Sequence, residues 1–384
     1  MLIVDAHLDL AMNALQWNRD LLQSVYTIRT QENYTPGKGR GQGTVALPEL
    51  RRGRVALCFA TALARSTGRP VPHLDFLSPA QAYAVAVGHL AYYRALERGG
   101  HVRVVTDAAT LDAHMQAWEA WETTGAHEAT APPLGVVLSM EGADPILDPD
   151  QLDEWVRAGL RVLGLAHYGP GRYAGGTGTE GGLTDLGVAL LPAMRRLTVV
   201  LDLTHLSDRA FWEALERYDG PVLASHNNAR TLAPHQRQFT DEQIRAIAAR
   251  GGVIGAAFDN WMVLPGWRHG DDPRLVKLDD VVRHIDHICQ LLGTARHCGI
   301  GSDLDGGFGR EGAPGDLDTI ADLQQVATLL AARGYPADDV AGIMYRNWWA
   351  FLRQAWGAGA EPPAVTPSTA AADRGSRAAR RPGG

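Results

Sequence analysis

The amino-acid sequence predicts an α/β protein of the (β/α)8 TIM-barrel class. Short apolar segments of β type alternate along the chain with longer segments that carry apolar residues at helical spacing. The apolar segments are continuous rather than alternating, which is typical of parallel strands covered on both faces. Alternating strands and helices imply a parallel sheet with right-handed crossovers, and eight such units favour closure into a barrel.

The predicted strands lie, in chain order, at 2–5, 55–61, 134–138, 160–166, 197–202, 220–225, 252–258 and 298–302. The predicted helices with the clearest spacing lie at 78–98, 277–291, 318–333 and 337–356. Two further helices are marked by capping signals, because a Thr or Ser hydroxyl can accept hydrogen bonds from free amides at a helix start. These signals are the capping-box sequence from Thr240 to Gln243 and the segment that begins at Ser207.

Three segments do not follow the repeat. Residues 26–48 are polar and rich in glycine and are expected to form a long loop, as are residues 167–183. The glycines of the second segment lack the GK[ST] ending of a phosphate-binding loop. Residues 358–384 are rich in Ala, Pro, Gly and Arg and are expected to be a disordered tail. Barrels of this size often form one domain, so residues 1–357 are predicted to be a single barrel domain.

Composition excludes several classes of partner. The chain has 384 residues and a formal net charge of −7, which argues against a nucleic-acid-binding surface. No apolar run reaches membrane-spanning length, so no membrane association is expected. Leu2, Ile3 and Val4 lead straight into a polar motif, with no signal peptide between. A cytoplasmic location is therefore expected.

The cysteines do not form a metal or disulfide pattern. Cys58, Cys289 and Cys298 each lie in an apolar stretch, and none has a CxxC partner. They are interpreted as small buried hydrophobic residues. Any metal in this protein must then be held by imidazole and carboxylate groups.

The predicted strands deliver such groups at their carboxyl ends. In chain order the ligand-type residues there are His7 and Asp9, Glu141, His167, His205, His226, and Asp303 with Asp305. A barrel places its active site at the carboxyl ends of its strands, so six of the eight predicted strands contribute to one rim. Each residue alone is a weak signal, and their conjunction predicts a metal centre.

The spacing of these residues suggests how two ions could be shared. Residues two apart in an extended segment point the same way, so His7 and Asp9 could bind one ion as a nitrogen–oxygen pair. Glu141 offers two oxygens and could bridge two ions. His205 and His226 would complete the shell of the second ion. A water or hydroxide between the metals would be the nucleophile, because bound zinc lowers the pKa of water toward about 7.

The ordered motifs resemble those of a known family. The motifs are DAHLD, SMEGAD, LAHYG, DLTHLS, ASHNNAR and GIGSDLDG, accompanied by GLTDLG at 182–187 and TDEQIRAI at 240–247. Together they resemble the renal (membrane) dipeptidase family, peptidase family M19 of the amidohydrolase superfamily, from about residue 2 to residue 356.

The resemblance implies roles at matching positions. It implies two Zn2+ ions per chain, with His7 and Asp9 on the first ion, Glu141 bridging, and His205 and His226 on the second. It further implies three residues that act on the substrate. These are Asp303 as proton shuttle, His167 as stabiliser of the tetrahedral oxyanion, and Arg237 as the group that holds the substrate carboxylate. Many members of the family are dimers, so a homodimer is a further expectation.

One segment departs from the family pattern. The family commonly has an asparagine in the loop after the position of His167, and this chain has the segment 168–173 without one. The departure concerns the substrate pocket rather than the metal ligands.

The sequence therefore predicts a zinc-dependent dipeptidase in which a metal-bridging hydroxide attacks the peptide bond of a dipeptide. The resemblance implies tolerance of a D-residue at the C-terminal side. Two alternatives stay open at this point. One is another amidohydrolase-type reaction on N-acyl amino acids, lactones or β-lactams, since the same metals serve all of these. The other is a catalytically silent barrel that acts as a binding protein.

Overall fold

A computed structural model describes residues 1–69, 71–124 and 131–357, and its sheet contains nine parallel strands in these residues. The strands are β1 (Ile3–Leu8), β2 (Val55–Ala62), β3 (Val102–Val104), β4 (Leu134–Met140), β5 (Leu160–Gly164), β6 (Val200–Asp202), β7 (Val222–Leu223), β8 (Ile254–Ala256) and β9 (Cys298–Ile300).

Eight of the strands form a barrel. They are hydrogen-bonded in the order β7-β6-β5-β4-β2-β1-β9-β8. Ala224, just after β7, connects the two ends of this order: its amide donates to the carbonyl of Val253 over 3.0 Å, and its carbonyl accepts from the amide of Gly255 over 2.8 Å. Each barrel strand overlaps one of the eight segments predicted from the sequence, and the predicted (β/α)8 TIM barrel is confirmed.

The strand β3 lies outside the barrel order and was not predicted. Among the described strands it pairs with the start of β4 alone, where Val102 lies opposite Leu134 and Val104 opposite Val136. Its central Arg103 is exposed between two buried valines. Three residues with one exposed charge form no continuous apolar run, which is why the sequence pattern did not identify it.

Helices cover the outside of the barrel. They are α1 (Leu10–Leu15), α2 (Val25–Gln31), α3 (Leu47–Arg52), α4 (Pro79–Arg98), α5 (Ala108–Thr123), α6 (Leu152–Ala158), α7 (Asp185–Arg196), α8 (Asp208–Arg217), α9 (Asp241–Ala249), α10 (Asn260–Val263), α11 (Leu278–Leu292), α12 (Gln324–Ala332), α13 (Ala337–Ala341) and α14 (Asn347–Gly357). Short 3-10 turns occur at Pro149–Gln151, Pro273–Leu275 and Ile320–Leu323, and a π-helical turn at Gly342–Arg346 joins α13 to α14.

The capping signals operate as the sequence predicts. The Thr240 hydroxyl accepts from the amide of Gln243, and the Gln243 side chain accepts from the amide of Thr240, which completes the capping box of α9. The Ser207 hydroxyl accepts from the amide of Ala210 at the start of α8. These caps satisfy amides that have no partner within the helix.

The expectation that residues 26–48 form only a loop is wrong. The helix α2 occupies the first part of this segment, and α3 begins at Leu47. The Ser24 hydroxyl caps α2 by accepting from the amide of Thr27. Val25 and Ile28 are the buried residues of this helix. Two apolar contacts and one cap are enough to order a short helix against the barrel, although the surrounding sequence is polar.

Residues 167–183, all of which the structure describes, form a loop without helix or strand, as predicted. The predicted tail at 358–384 lies outside the described residues. In the described part of the chain, no helix is both long and apolar enough to cross a lipid bilayer.

The C-terminal helix is packed onto the barrel by a tryptophan. Trp348 is fully buried, and its indole nitrogen donates to the carbonyl of Ile300 over 2.9 Å. A side chain at position 299 would place its Cβ 2.2 Å from that nitrogen, so glycine is required in β9. This close approach holds α14 against the strand that leads to Asp303.

Candidate metal centre

The carboxyl ends of the barrel strands place the predicted site residues at one rim. His7 lies in β1, Asp9 follows it, and Glu141 is the first residue after β4. Four more predicted residues occupy the third position after their strands. These are His167 after β5, His205 after β6, His226 after β7 and Asp303 after β9. The structure brings all seven together.

The Glu141 carboxylate lies at the centre of the group. Its Oε1 is 3.0 Å from Nε2 of His205 and 3.4 Å from Nε2 of His226. Its Oε2 is 3.6 Å from Nε2 of His7. The same Oε1 is 3.7 Å from Nε2 of His167. The two carboxylate oxygens therefore face different imidazoles.

Three overlapping sets of donor atoms have the spacing of a metal site, with all atoms of a set within 4.8 Å of one another. The sets are His7 with Glu141 and His226, Glu141 with His167 and His205, and His7 with Asp9 and Asp303. Imidazole nitrogen and carboxylate oxygen are the ligands that zinc and similar divalent ions take in proteins.

Two buried atoms at this centre are suited to bind a cation. Nε2 of His7 and Oδ1 of Asp9 have no hydrogen-bond partner among the described residues. His7 is 2% exposed and Asp9 is 3% exposed, so bulk solvent does not reach these atoms. Leaving buried polar atoms unpaired is costly, and an ion bound by both would remove the cost. The residues present therefore fit a divalent metal.

Hydrogen bonds behind the imidazoles fix their orientation. Nδ1 of His205 lies 3.0 Å from the Thr177 hydroxyl, and Nδ1 of His226 lies 2.9 Å from the Ser225 hydroxyl. Both rings therefore direct Nε2 toward Glu141, an outer-shell arrangement common in metal sites. His205 and Asp303 also have positive φ angles of 68° and 57°. Such angles are unfavourable for non-glycine residues and tend to occur at functional sites.

Burial sets the charge state of the imidazoles. It lowers the pKa of His7 to about 3, and it lowers the pKa values of His167, His205 and His226 well below the usual range. Arg237 adds to this by repulsion. The rings are therefore neutral at physiological pH, which is the form that binds metal.

The carboxyl groups are shifted in the opposite direction. Burial raises the pKa of Asp9 to about 7. Burial and repulsion between neighbouring carboxylates raise the pKa values of Glu141 and Asp303 well above their usual range. A divalent cation among them would favour their ionised forms.

A cavity of about 390 Å³ opens over the centre. Its floor includes Asp9, Glu141, His205 and Asp303. Its polar and aromatic walls are formed by Trp17, Lys38, Arg65, His73, His167, Tyr168, Arg237, Asp259, Trp261 and His269. This volume suits a small polar molecule rather than a folded protein.

The predicted Arg237 is held rigidly at one wall of this cavity. It is 2% exposed, its Nη1 donates to the Asn227 side-chain carbonyl, and its Nη2 donates to the backbone carbonyl of His226 over 2.9 Å. Its Nε has no hydrogen-bond partner among the described residues. A fixed guanidinium with a free donor is suited to bind a carboxylate.

Arg65, Tyr168 and Asp259 are among the cavity residues that sequence reasoning missed. Nη1 of Arg65 lies 3.4 Å from Nδ1 of His167, and the Tyr168 ring centroid lies 4.8 Å from that of His167. Asp259 is the third residue after β8, the same offset at which four other strands place a site residue. That offset was the available signal for Asp259. The sequence carried no such signal for Arg65, because this side chain reaches the site from a loop.

Comparison with known proteins identifies the family. The family model described as membrane dipeptidase (peptidase family M19) matches residues 1–361. An uncharacterized protein encoded in the pqqA 5′ region of Klebsiella pneumoniae is 32% identical over 233 residues, which cover 58% of this chain and 83% of that protein.

Two solved structures are similar over nearly the whole chain. A metallopeptidase described as dipeptidase AC of family M19 superimposes with a TM-score of 0.74 at 25% identity, covering 93% of this chain and 99% of that one. A metallopeptidase from Rhodobacter sphaeroides, solved with a phosphinate mimic of the dipeptide L-Ala-D-Ala, has the same fold, with a TM-score of 0.71, 24% identity and the same coverage.

These findings confirm the resemblance read from the motifs. Family membership also implies a divalent metal, in agreement with the donor sets at the barrel rim. The chain therefore belongs to the membrane dipeptidase family, peptidase family M19, and is a metallo-dipeptidase.

Proposed function

We propose that this protein hydrolyses dipeptides, including those with a C-terminal D-residue, with two zinc ions bound at the barrel rim. The observation that carries the proposal is the position of Glu141, whose two oxygens face His205 and His7 at 3.0 and 3.6 Å. A carboxylate placed between two sets of imidazoles is suited to bridge two ions. Other features of the site and the solved relatives add support.

In this proposal each ion has its own protein ligands. His7 and Asp9 would hold one ion through their unpartnered Nε2 and Oδ1 atoms. His205 and His226 would hold the other, since their Nε2 atoms lie 3.1 Å apart and face the same Glu141 oxygen. When bound, the ions would acidify a water molecule and polarise the scissile carbonyl of the substrate.

Asp303 is placed to move the proton. Its Oδ1 lies 3.8 Å from Nε2 of His7, and its Oδ2 lies 4.0 Å from Nε2 of His226, so it faces the space that both ions would share. It also lines the cavity and can reach a bound substrate. We assign it the role of general base for the attacking water and then general acid for the leaving amine.

His167 is placed to stabilise the developing negative charge on the carbonyl oxygen. Its Nδ1 faces Arg65, which can only donate, so Nδ1 is the accepting nitrogen and the proton is on Nε2. Nε2 is directed into the site, 3.7 Å from Glu141 Oε1. A neutral N–H donor held there serves as an oxyanion-hole group rather than as a metal ligand.

Arg237 is placed to bind the free carboxylate of the substrate. Its buried guanidinium is anchored by Asn227 and His226 and lines the cavity, and its Nε has no partner among the described residues. A requirement for a carboxylate would restrict the enzyme to dipeptides and similarly small acyl amino acids. The Rhodobacter relative was solved with a mimic of L-Ala-D-Ala, and this supports acceptance of a D-residue at the C-terminal side.

A dipeptide panel with metal analysis tests this proposal. The protein is loaded with zinc, the bound ions are counted, and release of amino acids from L,L and L,D dipeptides is measured before and after chelation. We expect about two zinc ions per chain, hydrolysis of both series, and recovery on adding zinc back. Zinc-loaded protein that hydrolyses N-acyl amino acids, lactones or β-lactams but no dipeptide would refute the proposal.

A further inference from the structure

Asp259 is a buried carboxylate in the cavity that the proposed chemistry does not use. It is 6% exposed and lines the same cavity as Arg237 and Asp303. Its Oδ2 accepts from the indole nitrogen of Trp261 over 2.8 Å. Its Oδ1 is buried and has no hydrogen-bond partner in the described part of the chain. Asp259 belongs to none of the three donor sets of the metal centre.

Burial of this carboxylate outweighs the attraction that Lys38 and Arg237 exert on it. Among the described residues, the basic side chain in contact with it is the exposed imidazole of His269, whose Nε2 lies 3.9 Å from Oδ2. The ammonium of Lys38 lies 3.1 Å from the same imidazole nitrogen, at the exposed mouth of the cavity. Within the described residues, neither Lys38 nor Arg237 comes within ion-pair distance of Asp259. Burial accordingly raises the pKa of Asp259 to about 7.

The position of Asp259 relative to Arg237 is fixed by the backbone around them. The Asn228 side chain donates to the carbonyl of Ala257 over 3.0 Å. The Gln238 side chain donates to the carbonyl of Met262 over 2.6 Å. These bonds tie the segment that carries Arg237 to the segment that carries Asp259. Arg237 and Asp259 therefore keep a fixed relative position on the wall of the same cavity, so one bound substrate can contact both.

We propose that Asp259 forms a subsite for a cationic side chain on the C-terminal residue of the dipeptide. This rests on the proposed function, in which Arg237 binds the terminal carboxylate of that residue. The amine of the same residue is in the peptide bond, so its side chain is the group left to carry a positive charge toward Oδ1. A lysine-like ammonium there would pair a buried acceptor that otherwise has no partner.

An acidic side chain is the competing substrate class, because Lys38 also lines the cavity. The exposed position of Lys38 weakens that case, since ion pairs with solvent-exposed lysines contribute little. Asp259 is desolvated and its unpartnered oxygen is fixed in place. An ion pair with Asp259 therefore lowers the free energy of the bound substrate more than an ion pair with Lys38 does.

The test compares substrates that differ in charge at one position. Zinc-loaded full-length protein is assayed with Ala-Lys, Ala-norleucine and Ala-Glu, each with an L- or a D-residue at the C-terminus. We expect kcat/KM for the lysine peptide to exceed that for the norleucine peptide by about tenfold or more in at least one series, because only the lysine peptide pairs the buried carboxylate. Equal or faster hydrolysis of the norleucine or glutamate peptides in both series would overturn the inference.

Two variants test whether Asp259 causes the preference for the lysine peptide. Asp259→Asn removes the charge at nearly constant volume, and it should lower the lysine-to-norleucine ratio toward one. Lys38→Met is the matched control at the same cavity and should keep or increase that ratio. A ratio unchanged in Asp259→Asn would contradict the assignment. Hydrolysis of norleucine peptides without lysine preference overturns this subsite alone, whereas hydrolysis of no peptide overturns the proposed function with it.

Discussion

The guanidinium of Arg65 lies 3.4 Å from Nδ1 of His167, on the side of the ring that faces away from Glu141. Arginine stays protonated and has no acceptor, so this contact requires Nδ1 to be the unprotonated nitrogen. The contact thus determines which nitrogen of His167 carries hydrogen into the cavity. It also separates His167 from His205 and His226, whose Nδ1 atoms face hydroxyl groups that can either donate or accept.

Arg65→Met should lower kcat more than it raises KM. Without the guanidinium, Nδ1 of His167 can hold the proton, and the ring then offers no donor to the oxyanion. Loss of one such donor costs about 10²–10³-fold in kcat. The measurement is steady-state kinetics on a dipeptide, with bound zinc determined in parallel. Arg65→Lys should restore part of the rate, and a wild-type kcat in Arg65→Met would contradict this role.

Asp303→Asn should abolish proton transfer and leave the metals in place. We expect kcat to fall by about 10²–10⁴-fold, the usual contribution of a general acid–base group. Elemental analysis should show the same metal content as the unmodified protein. Loss of an ion together with activity would show instead that Asp303 is a ligand.

Arg237→Ala should raise KM for dipeptides by about tenfold or more, because a buried charge-assisted contact to the carboxylate is lost. Arg237→Lys should be intermediate, since lysine keeps the charge without the two-point geometry. Peptides with an amidated C-terminus provide the control and should be insensitive to the change. An unchanged KM for free dipeptides would favour a substrate that has no carboxylate.

His114 should make the fold less stable in acid. It is fully buried on α5, its Nε2 lies 2.8 Å from the carbonyl of Ala56, and burial lowers its pKa to about 4. The unfolded chain binds the proton near pH 6.5, so the stabilisation by neutral His114 is full above that pH and is lost as pH falls toward 4. The loss is roughly 3 kcal/mol at most, since each tenfold difference in proton affinity is about 1.4 kcal/mol.

His114→Gln tests this expectation. The glutamine amide can still donate to the Ala56 carbonyl but does not titrate, so unfolding free energy should depend less steeply on pH between 6.5 and 4. The measurement is denaturant unfolding at several pH values in chelated protein, which excludes metal loss as a cause. The same slope in variant and unmodified protein would contradict the account.

The sequence was sufficient to predict the barrel strands and the meeting of the candidate ligands at one rim, for a physical reason. Strands covered on both faces are continuous apolar runs, and parallel strands of a barrel end at one rim. His7, Glu141 and His226 could therefore be grouped without knowing any distance. The helix α2 could not be predicted, because its formation depends on the burial of Val25 and Ile28 rather than on a local sequence pattern.

The cavity walls were less predictable than its floor. Arg65 reaches His167 across 102 positions of sequence, and nothing in its neighbourhood marks it as part of a site. Asp259 could have been identified from the sequence, because it is the third residue after β8, the position that His205, His226 and Asp303 occupy after their own strands. Its significance depends on the burial of Oδ1 without a partner, which only coordinates reveal.

A crystal structure of the zinc-loaded protein with anomalous data at the zinc edge tests the central claim most directly. We predict two anomalous peaks about 3.5–4 Å apart, with Glu141 between them and imidazole nitrogens at about 2.0–2.1 Å. The ion at one peak should be bound by His7 and Asp9, and the ion at the other peak should be bound by His205 and His226. A single peak, or peaks that Glu141 does not contact, would contradict the account.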